Sequence, residues 1–319
     1  MTGMPERVVV GLDVGGTKIA GGLVDAATGQ VRHAITVSTD LSRGSDAVRQ
    51  TTVALASRLV LAGRADGAEV TGIGVGVPEL VAPDGTITSA HLLPWDRDVL
   101  AAELAAALRT GPPVEVVRIE SDVRCAALAE ARFGAGRSYP LFVYVTVGTG
   151  IAFCLVQNGV PYTGARGHAH LLLAPDYEGA VAEVAEPAQP PLLESVAAGP
   201  ALVARYRLAG GQVGDDAREV LAAAAAGEPV ALAVVRGAGA LLGEGLAVLV
   251  NAFDPCAVVV GGGLGLAGGP YRAGAVDRAR RMIWAPRSRT LPIVDAGLGL
   301  DAGVVGAALA AVPDSARRL

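Results

Sequence analysis

The sequence predicts an α/β protein made of two domains, and three observations support this prediction. The chain has 319 residues, which at about 150 residues per domain suggests two of them. Apolar residues make up 51% of the chain, enough for large buried cores, so a largely disordered chain is excluded. A pattern of strands, a glycine turn and helices occurs twice, at 8–109 and at 114–311. This repetition predicts a duplicated architecture with a cleft between its halves.

The first half begins with strands, because short runs of β-branched residues are separated by glycine-rich turns. Apolar residues at helical spacing then predict two helices, and Gly111-Pro112-Pro113 is a strong signal that the second one has ended. The predicted elements are strands that start at 8–10 and span 19–24, 31–37 and 70–77, with helices at 45–62 and 98–109.

The second half repeats this order. Asn158-Gly159 is typical of a tight hairpin turn, and Gly210-Gly211 predicts a break in a long helical region. A stretch at 174–192, rich in proline, alanine and acidic residues, predicts a loop. The other predicted elements are strands at 114–119, 141–147, 151–156 and 257–260, and helices at 123–133, over most of 194–250 and at 301–311. We expect domains at 1–117 and 118–300, with a C-terminal helix at about 301–319 packed back on the first domain.

Composition and charge argue against several classes of protein. A net charge of −5 and an aromatic content of 4% disfavour a nucleic-acid-binding surface. The apolar stretch at 231–250 is interrupted by Arg236 and Glu244, which predicts a buried helix rather than a membrane span. Three widely spaced cysteines predict no disulfide framework and fit a reducing compartment. The N-terminal residues lack the pattern of an export signal, so we expect a cytoplasmic location.

The segment Asp13-Val14-Gly15-Gly16-Thr17-Lys18 is the first candidate site, and it follows the first strand. A carboxylate ends the strand, two glycines let the backbone approach an anion, and a hydroxyl and an amine follow. This arrangement favours phosphate binding. The alternative is an ordinary hairpin turn in which the glycines supply positive φ angles.

Two further glycine turns follow apolar strands. Gly148-Thr149-Gly150 again carries a hydroxyl, and Gly261-Gly262-Gly263 follows the strand at 257–260. Two hydroxyl-bearing turns at strand ends in one chain are suited to holding a polyphosphate from two sides. The alternative for Gly261-Gly262-Gly263 is a plain strand-to-helix turn, in place of a close approach to a nucleoside.

Asp122 follows a strand and opens a helix. An aspartate there is a good N-cap, which is the structural interpretation. The functional interpretation is a general base that accepts a hydroxyl proton during phosphoryl transfer.

Taken together, these segments resemble the ROK family (repressor, open reading frame, kinase) of actin-like sugar kinases. VVVGLDVGGTKIAGGLVD resembles its first phosphate motif, ESDVRCAALAEARFGAG its catalytic stretch and VTVGTGIAFCLVQNG its second phosphate motif. GARG, LLESVAAGP, AVVVGGGL and DAGVVGAALAA complete the family's order, so the resemblance covers about 8–311.

The resemblance implies an actin-like, ribonuclease-H-like ATPase fold that binds ATP in an interdomain cleft, with Mg²⁺ near Asp13. It implies that Asp122 is the catalytic base toward the primary hydroxyl of a hexose. Because the chain begins directly with the kinase strand, we expect a kinase rather than a repressor. Family members are commonly dimers, which implies a homodimer acting on a small molecule, with no nucleic-acid or membrane partner. The implied ATP and phosphate contacts are Asp13, Gly15, Gly16, Thr17, Lys18, Gly148, Thr149, Gly150, Gly261, Gly262 and Gly263.

The family's zinc site is altered in this sequence. That site uses a histidine and the three cysteines of a CxCGxxGC stretch, and a gapless match from Gly164 places Ala174 at the histidine. No cysteine occurs between 155 and 255. A tetrahedral site needs four such ligands, so we expect no structural zinc.

The family's polar sugar contacts are altered as well. The glutamate and histidine that hold ring hydroxyls read Leu171 and Ala174, and the asparagine before the catalytic aspartate reads Ser121. We match the asparagine of the NLPGW loop to Leu92 in HLLPW. The candidate substrate-binding residues are therefore Glu79, Ser121, Asp122, His168 and Glu194.

Three of the polar residues near these motifs have two interpretations each. Glu79 stands where the family usually has a glycine after Pro78. It is either a new hydrogen-bond acceptor for the substrate or a surface carboxylate. His168 and His170 are substrate donors or polar loop residues, and with no third ligand in view they predict no metal site.

Leucine and alanine in place of polar partners weaken the binding of glucose, because each buried hydroxyl group left without a hydrogen-bond partner costs about 1–3 kcal/mol of binding free energy. We therefore expect an ATP-dependent kinase for a cyclitol with a hexose-like hydroxymethyl group, such as a valiolone-type precursor of pseudo-sugar natural products, or for a modified hexose. The alternatives are a glucokinase or N-acetylhexosamine kinase, and a non-catalytic sugar-sensing protein.

Overall fold

The computed structural model describes residues 6–107, 116–174 and 191–312. In chain order, the strands and helices are β1 (Arg7–Val14), β2 (Lys18–Val24), β3 (Val31–Ser38), α1 (Ser45–Ala65), β4 (Glu69–Val77), α2 (Arg97–Ala107), β5 (Val116–Ser121), α3 (Asp122–Arg132), β6 (Leu141–Val147), β7 (Ile151–Gln157), β8 (Val160–Pro161), α4 (Glu194–Ala197), α5 (Gly199–Leu208), α6 (Ala217–Ala225), α7 (Pro229–Phe253), β9 (Ala257–Gly261), α8 (Gly269–Met282), β10 (Ile293–Asp295) and α9 (Ala302–Ala310).

The chain divides into two compact units. Unit 1 comprises the described residues of Met1–Arg137, Gly159–Ala169 and Leu300–Leu319, and unit 2 those of Ser138–Asn158 and His170–Gly299. This division differs from the boundary expected at 117/118, because α3 and residues Gly159–Ala169 belong to unit 1.

Unit 1 contains a mixed sheet with the strand order β3-β2-β1-β4-β5. The pairs β3-β2 and β2-β1 are antiparallel, and β1-β4 and β4-β5 are parallel. Valines and leucines of β1 and β4 alternate into a core that includes Leu12, Ile73 and Leu59 of α1. The carboxyl ends of β1, β4 and β5 therefore share one edge of the sheet, where Asp13, Glu79 and Asp122 follow or end the strands.

Glycines in β1 and β4 let α9 lie directly on this sheet. Gly11 and Gly74 are register partners in adjacent strands. A methyl group on Gly11 would lie 2.0 Å from the Val304 carbonyl oxygen, and one on Gly74 would lie 1.7 Å from that of Ala307. The helix itself is buried along its whole length. Close approach of the helix backbone to the strands thus explains why these strand positions carry no side chain.

Unit 2 contains a second mixed sheet in which the strands β10, β9, β6 and β7 lie in that order. The pair β6-β7 is antiparallel, whereas β6-β9 and β9-β10 are parallel. The helix α7 packs closely on α8, since a methyl group on Gly239 would lie 2.2 Å from the carbonyl oxygen of Tyr271.

By length and composition, α7 is the one described helix that could cross a membrane, and 61% of its most apolar window is buried inside the protein. Ala231, Val235, Leu242 and Leu246 are all buried in the core of unit 2. The prediction of a buried helix at 231–250 is confirmed.

Most predicted elements are confirmed to within a few residues, and β1 ends at Val14, one residue after the carboxylate predicted to end it. The helix α8 was not predicted, because Gly268-Gly269-Pro270 resembles a break in the chain. Proline is favoured in the first turn of a helix, and Pro270 lies there. The predicted helix end at 108–109, the strand start at 114–115 and the loop at 175–190 lie outside the described residues.

Candidate active site

The turn between β1 and β2 is closed by its own backbone. The N–H of Gly15 donates to the Lys18 carbonyl oxygen at 2.9 Å, and the Thr39 hydroxyl donates to the Gly15 carbonyl oxygen at 2.8 Å. Neither Gly15 nor Gly16 has a positive φ angle. The hairpin alternative explained the two glycines by positive φ angles, and that explanation is wrong. The absence of side chains leaves the turn's backbone open to close approach by an anion.

Asp13 is the last residue but one of β1, and its carboxylate lies beside α9. A methyl group on Gly303 would stand 2.3 Å from Asp13 Oδ2. Burial raises the pKa of Asp13 to about 6, and the nearby positive charge of Lys18 opposes this rise. A half-buried carboxylate with a raised pKa is stabilised by a bound cation, because a nearby positive charge favours its charged form.

Asp122 is the first residue of α3, and Ser121 occupies the N-cap position. The interpretation of Asp122 as the N-cap is therefore wrong by one position, because the N-cap is Ser121. Asp122 Oδ1 accepts a hydrogen bond from the Val123 N–H at 2.6 Å, which satisfies one free donor of the first turn.

The electrostatic surroundings of Asp122 favour its neutral form. Burial, and after it the negative charge of Asp13, raise its pKa to about 7. The Val123 N–H and the Arg124 guanidinium lower this pKa, and the negative charge of Glu79 raises it. A carboxylate whose pKa lies near neutrality is suited to accept a proton from a hydroxyl group.

Ser121 is only 1% exposed, and its hydroxyl oxygen has no hydrogen-bond partner among the residues that the structure describes. A buried hydroxyl next to Asp122 without a protein partner is available to a ligand.

Glu79 is buried, and its carboxylate is held by donors of the chain itself. Its side chain is 3% exposed, so it is not a surface carboxylate. Oε1 accepts from the backbone N–H groups of Leu92 at 2.6 Å and Leu93 at 2.7 Å. Oε2 accepts from the His91 N–H at 3.0 Å and from the Ser89 hydroxyl. Both oxygens accept from the protein's own donors, and a contact with the substrate stays a prediction.

Arg124 was not singled out in the sequence. It is 3% exposed, forms an ion pair with Glu120 at 2.5 Å, and donates to the backbone carbonyls of Gly167 and Val81. One signal was available: an arginine two residues after Asp122 interrupts an otherwise apolar helix start.

The two histidines belong to different units. His168 is exposed, and its Nε2 lies 3.1 Å from the Thr88 hydroxyl in unit 1. His170 is buried in unit 2, where its carbonyl oxygen accepts from the Phe153 N–H at 3.0 Å. Within the described parts of the chain, no group of three or more His, Cys, Asp or Glu side chains could hold a metal ion.

In unit 2, Glu194 lies against the turn Gly148-Thr149-Gly150. Its Oε2 accepts from the Ile151 N–H at 3.1 Å, and a methyl group on Gly150 would stand 2.7 Å from the same oxygen. The turn is also closed by the Gly148 N–H, which donates to the Gly150 carbonyl oxygen at 2.9 Å. The structure thus brings a predicted substrate residue to a predicted phosphate turn.

The turn Gly261-Gly262-Gly263 is used mainly by the protein itself. A methyl group on Gly261 would lie 2.3 Å from the Tyr144 hydroxyl, and one on Gly262, where φ is 80°, would lie 2.4 Å from the Val147 carbonyl oxygen. Gly263 has no atom within 4 Å of that position. Within this turn, only Gly263 has open space for a ligand.

Three positions carry apolar residues where the family has polar sugar contacts. Of these, Leu171 is exposed, Ala174 is buried and Leu92 is half-buried. The residue before Leu92 is His91, whose backbone N–H donates to Glu79 Oε2 at 3.0 Å. The exposed side chain of His91 is a further candidate for the acceptor site.

A family model described as the ROK family matches residues 9–313. The bifunctional enzyme NanE/NanK of Brucella melitensis is 33% identical over 314 residues, covering 95% of this chain and 54% of that protein, so the chain spans about half its length. The glucokinase of Thermotoga maritima is 30% identical over 329 residues, covering 96% of this chain and 97% of that protein. A ROK family glucokinase from Streptomyces griseus, solved with glucose and AMPPNP, has a TM-score of 0.75 at 29% identity, covering 94% of this chain and 98% of that chain. The predicted α/β fold is confirmed by this likeness and by the two mixed sheets.

Proposed function

Because this chain belongs to the ROK family, we propose that it transfers the γ-phosphoryl group of ATP to the primary hydroxyl of a sugar or sugar-like acceptor. The observation that carries the proposal is Asp122, a half-buried carboxylate at the start of α3 whose pKa is raised to about 7. The relatives named as sugar kinases support the same activity.

Asp122 is the proposed general base. The acceptor's hydroxyl oxygen attacks the γ-phosphorus, its proton passes to the Asp122 carboxylate, and the bond to the leaving ADP oxygen breaks. The hydroxyl of Ser121, buried beside Asp122, is the proposed partner for another acceptor oxygen.

We assign the phosphates of ATP to the backbone of Gly15–Lys18, to the turn at Gly148–Gly150 and to Gly263. Carboxylate oxygens together with substrate phosphates are the ligands that Mg²⁺ prefers. The half-buried carboxylate of Asp13 fits this ion and would hold it. Bound there, Mg²⁺ would neutralise charge on the phosphates during transfer.

For the acceptor, we propose a cyclitol of the valiolone type or a hexose altered at ring positions distant from the primary hydroxyl. Leu171 and Ala174 offer no polar atom to ring hydroxyls, and each missing partner costs on the order of 1 kcal/mol or more. We also infer that the protein acts in the cytoplasm as a homodimer on small molecules.

Glucose or an N-acetylhexosamine is the second candidate acceptor. The observation that favours it is the full-length likeness to glucokinases. His91, Ser121 and Glu194 are the polar residues that would contact the ring in that case.

A coupled assay of ADP release separates these candidates. Values of kcat/KM are measured for glucose, N-acetylhexosamines and valiolone-type cyclitols, each with ATP and Mg²⁺. We expect the cyclitol or modified hexose to exceed glucose by about 10²-fold. A clear preference for glucose would select the second candidate, and no transfer to any acceptor would favour a non-catalytic sugar-sensing protein.

A further inference from the structure

The segment held by Glu79, residues 89–93, lies beside two of the proposed functional groups. Leu92 Cδ1 is 3.6 Å from the position that a methyl group on Gly16 would occupy, so the segment borders the phosphate turn. Glu79 itself is near enough to Asp122 for its charge to raise the pKa of that residue. The segment thus borders the proposed phosphate turn, and the carboxylate that holds it acts electrostatically on Asp122.

The same loop is fixed at its start as well. Arg124 donates to the Val81 carbonyl oxygen just after Glu79. The Ser89 hydroxyl, which donates to Glu79, also accepts from the Leu80 N–H at 2.8 Å. The loop from Glu79 to 93 is therefore tied to α3, the helix that begins with Asp122.

We propose that Glu79 is a positioning residue for the acceptor, because its carboxylate fixes the backbone of 89–93 as one wall of the acceptor site. The proposal rests on the proposed function. A buried carboxylate that accepts from three consecutive N–H groups imposes one backbone conformation on them. Without it, the side chains of His91 and Leu92 lose their fixed position, whereas Asp13 and Asp122 keep theirs.

The test is Glu79→Gln in the full chain, with both substrates varied. Glutamine has nearly the same shape, but its NH₂ group cannot accept from the donors that meet one of the two oxygens. We expect the KM for the acceptor to rise about tenfold or more, with kcat and the KM for ATP changed by less than about threefold. Hydrogen–deuterium exchange at the amides of 91–93 should be at least about tenfold faster.

Glu130→Gln is the matched control. Glu130 is a fully buried carboxylate of α3 whose Oε2 accepts from the Ala135 N–H at 2.8 Å. This variant should lower Tm as Glu79→Gln does, but leave the acceptor KM unchanged. If Glu79→Gln does not fold, Ser89→Ala removes one of the donors and should raise the acceptor KM by about two- to fivefold.

The outcomes separate this proposal from the proposed function. Suppose that the wild-type enzyme is active. If the Glu79→Gln variant then keeps its acceptor KM, or if its two KM values and its kcat change alike, this result overturns only the proposed role of Glu79. An equal rise of acceptor KM in Glu130→Gln does the same. A wild-type protein that transfers phosphate to no acceptor overturns the proposed function and this proposal together.

Discussion

The carboxylate of Asp13 and the backbone of Gly303 are in direct contact, although 290 positions separate them in the sequence. A methyl group on Gly303 would stand 2.3 Å from Asp13 Oδ2. Gly303 is the second residue of α9, so Asp13 lies at the N-terminal end of that helix. Helix N-termini carry free N–H groups and favour negative charge. The absence of a side chain at Gly303 thus sets where a proposed Mg²⁺ ligand lies.

The first prediction concerns Gly303→Ala. The added methyl group must displace the carboxylate or the helix, which costs about 1–3 kcal/mol of unfolding free energy. Displacement of Asp13 should also lower kcat by about 10- to 100-fold. The measurements are urea denaturation and ADP release.

Gly237→Ala is the control for that substitution. Gly237 lies inside α7, and the nearest atom to an added methyl group is Arg205 Nη2, at an ordinary 3.5 Å. This variant should keep full activity and gain up to about 1 kcal/mol of stability. Wild-type stability and kcat in Gly303→Ala would contradict the prediction.

The second prediction is that Asp122→Asn lowers kcat by about 10²–10⁴-fold while ATP binding and the fold are retained. The amide oxygen can still accept from the Val123 N–H, but it cannot take the hydroxyl proton. Kinetics, calorimetric titration with an ATP analogue and circular dichroism check the three parts. Turnover at the wild-type level would return Asp122 to a purely structural role at the helix start.

The third prediction is the pH dependence of activity. Asp122 must be charged to accept a proton, and its pKa is raised to about 7 by burial and by Asp13. The value of kcat/KM should therefore rise with pH through about 7 and then level off. A profile that is flat between pH 5.5 and pH 8, at about constant ionic strength, would exclude Asp122 as the base.

The fourth prediction is the pH dependence of stability. Burial raises the pKa of Asp13 to about 6 and that of Asp122 to about 7, so folding favours their protonated forms. Their contribution to stability is complete below the pKa of the unfolded chain and is lost as pH rises through about 6 and 7. The free energy of unfolding of Asp122→Asn should therefore exceed that of wild type by about 2–4 kcal/mol at pH 8. The difference should be smaller at pH 5. Urea denaturation at both pH values measures this, and a constant difference would refute it.

The fifth prediction concerns zinc. Ala174 stands at the family's histidine, and no cysteine lies between 155 and 255. The purified protein should contain no stoichiometric zinc, and a zinc chelator that leaves Mg²⁺ free should change neither Tm nor activity. Elemental analysis that finds one tightly held zinc per chain would overturn the match of this segment to the family.

Much of the site's outline could be predicted from the sequence. Strands, helix starts and glycine turns are set by residues close together in the chain, so β1, its turn and the start of α3 follow from local patterns. The order of the motifs predicted the ROK family, which the family model confirmed. The helix α8 escaped prediction because Gly268-Gly269-Pro270 is compatible both with a break and with a helix start.

The sequence by itself determined which elements form, which residue types carry the chemistry and to which family the chain belongs. Only the tertiary structure decided what Glu79, Gly262 and Gly303 do. Glu79 was a carboxylate without a partner until the fold brought the N–H groups of 91–93 to it. Gly303 had no role until α9 came to lie on β1 beside Asp13. These roles depend on contacts between residues far apart in the chain, and such contacts exist only once the strands and helices have packed together.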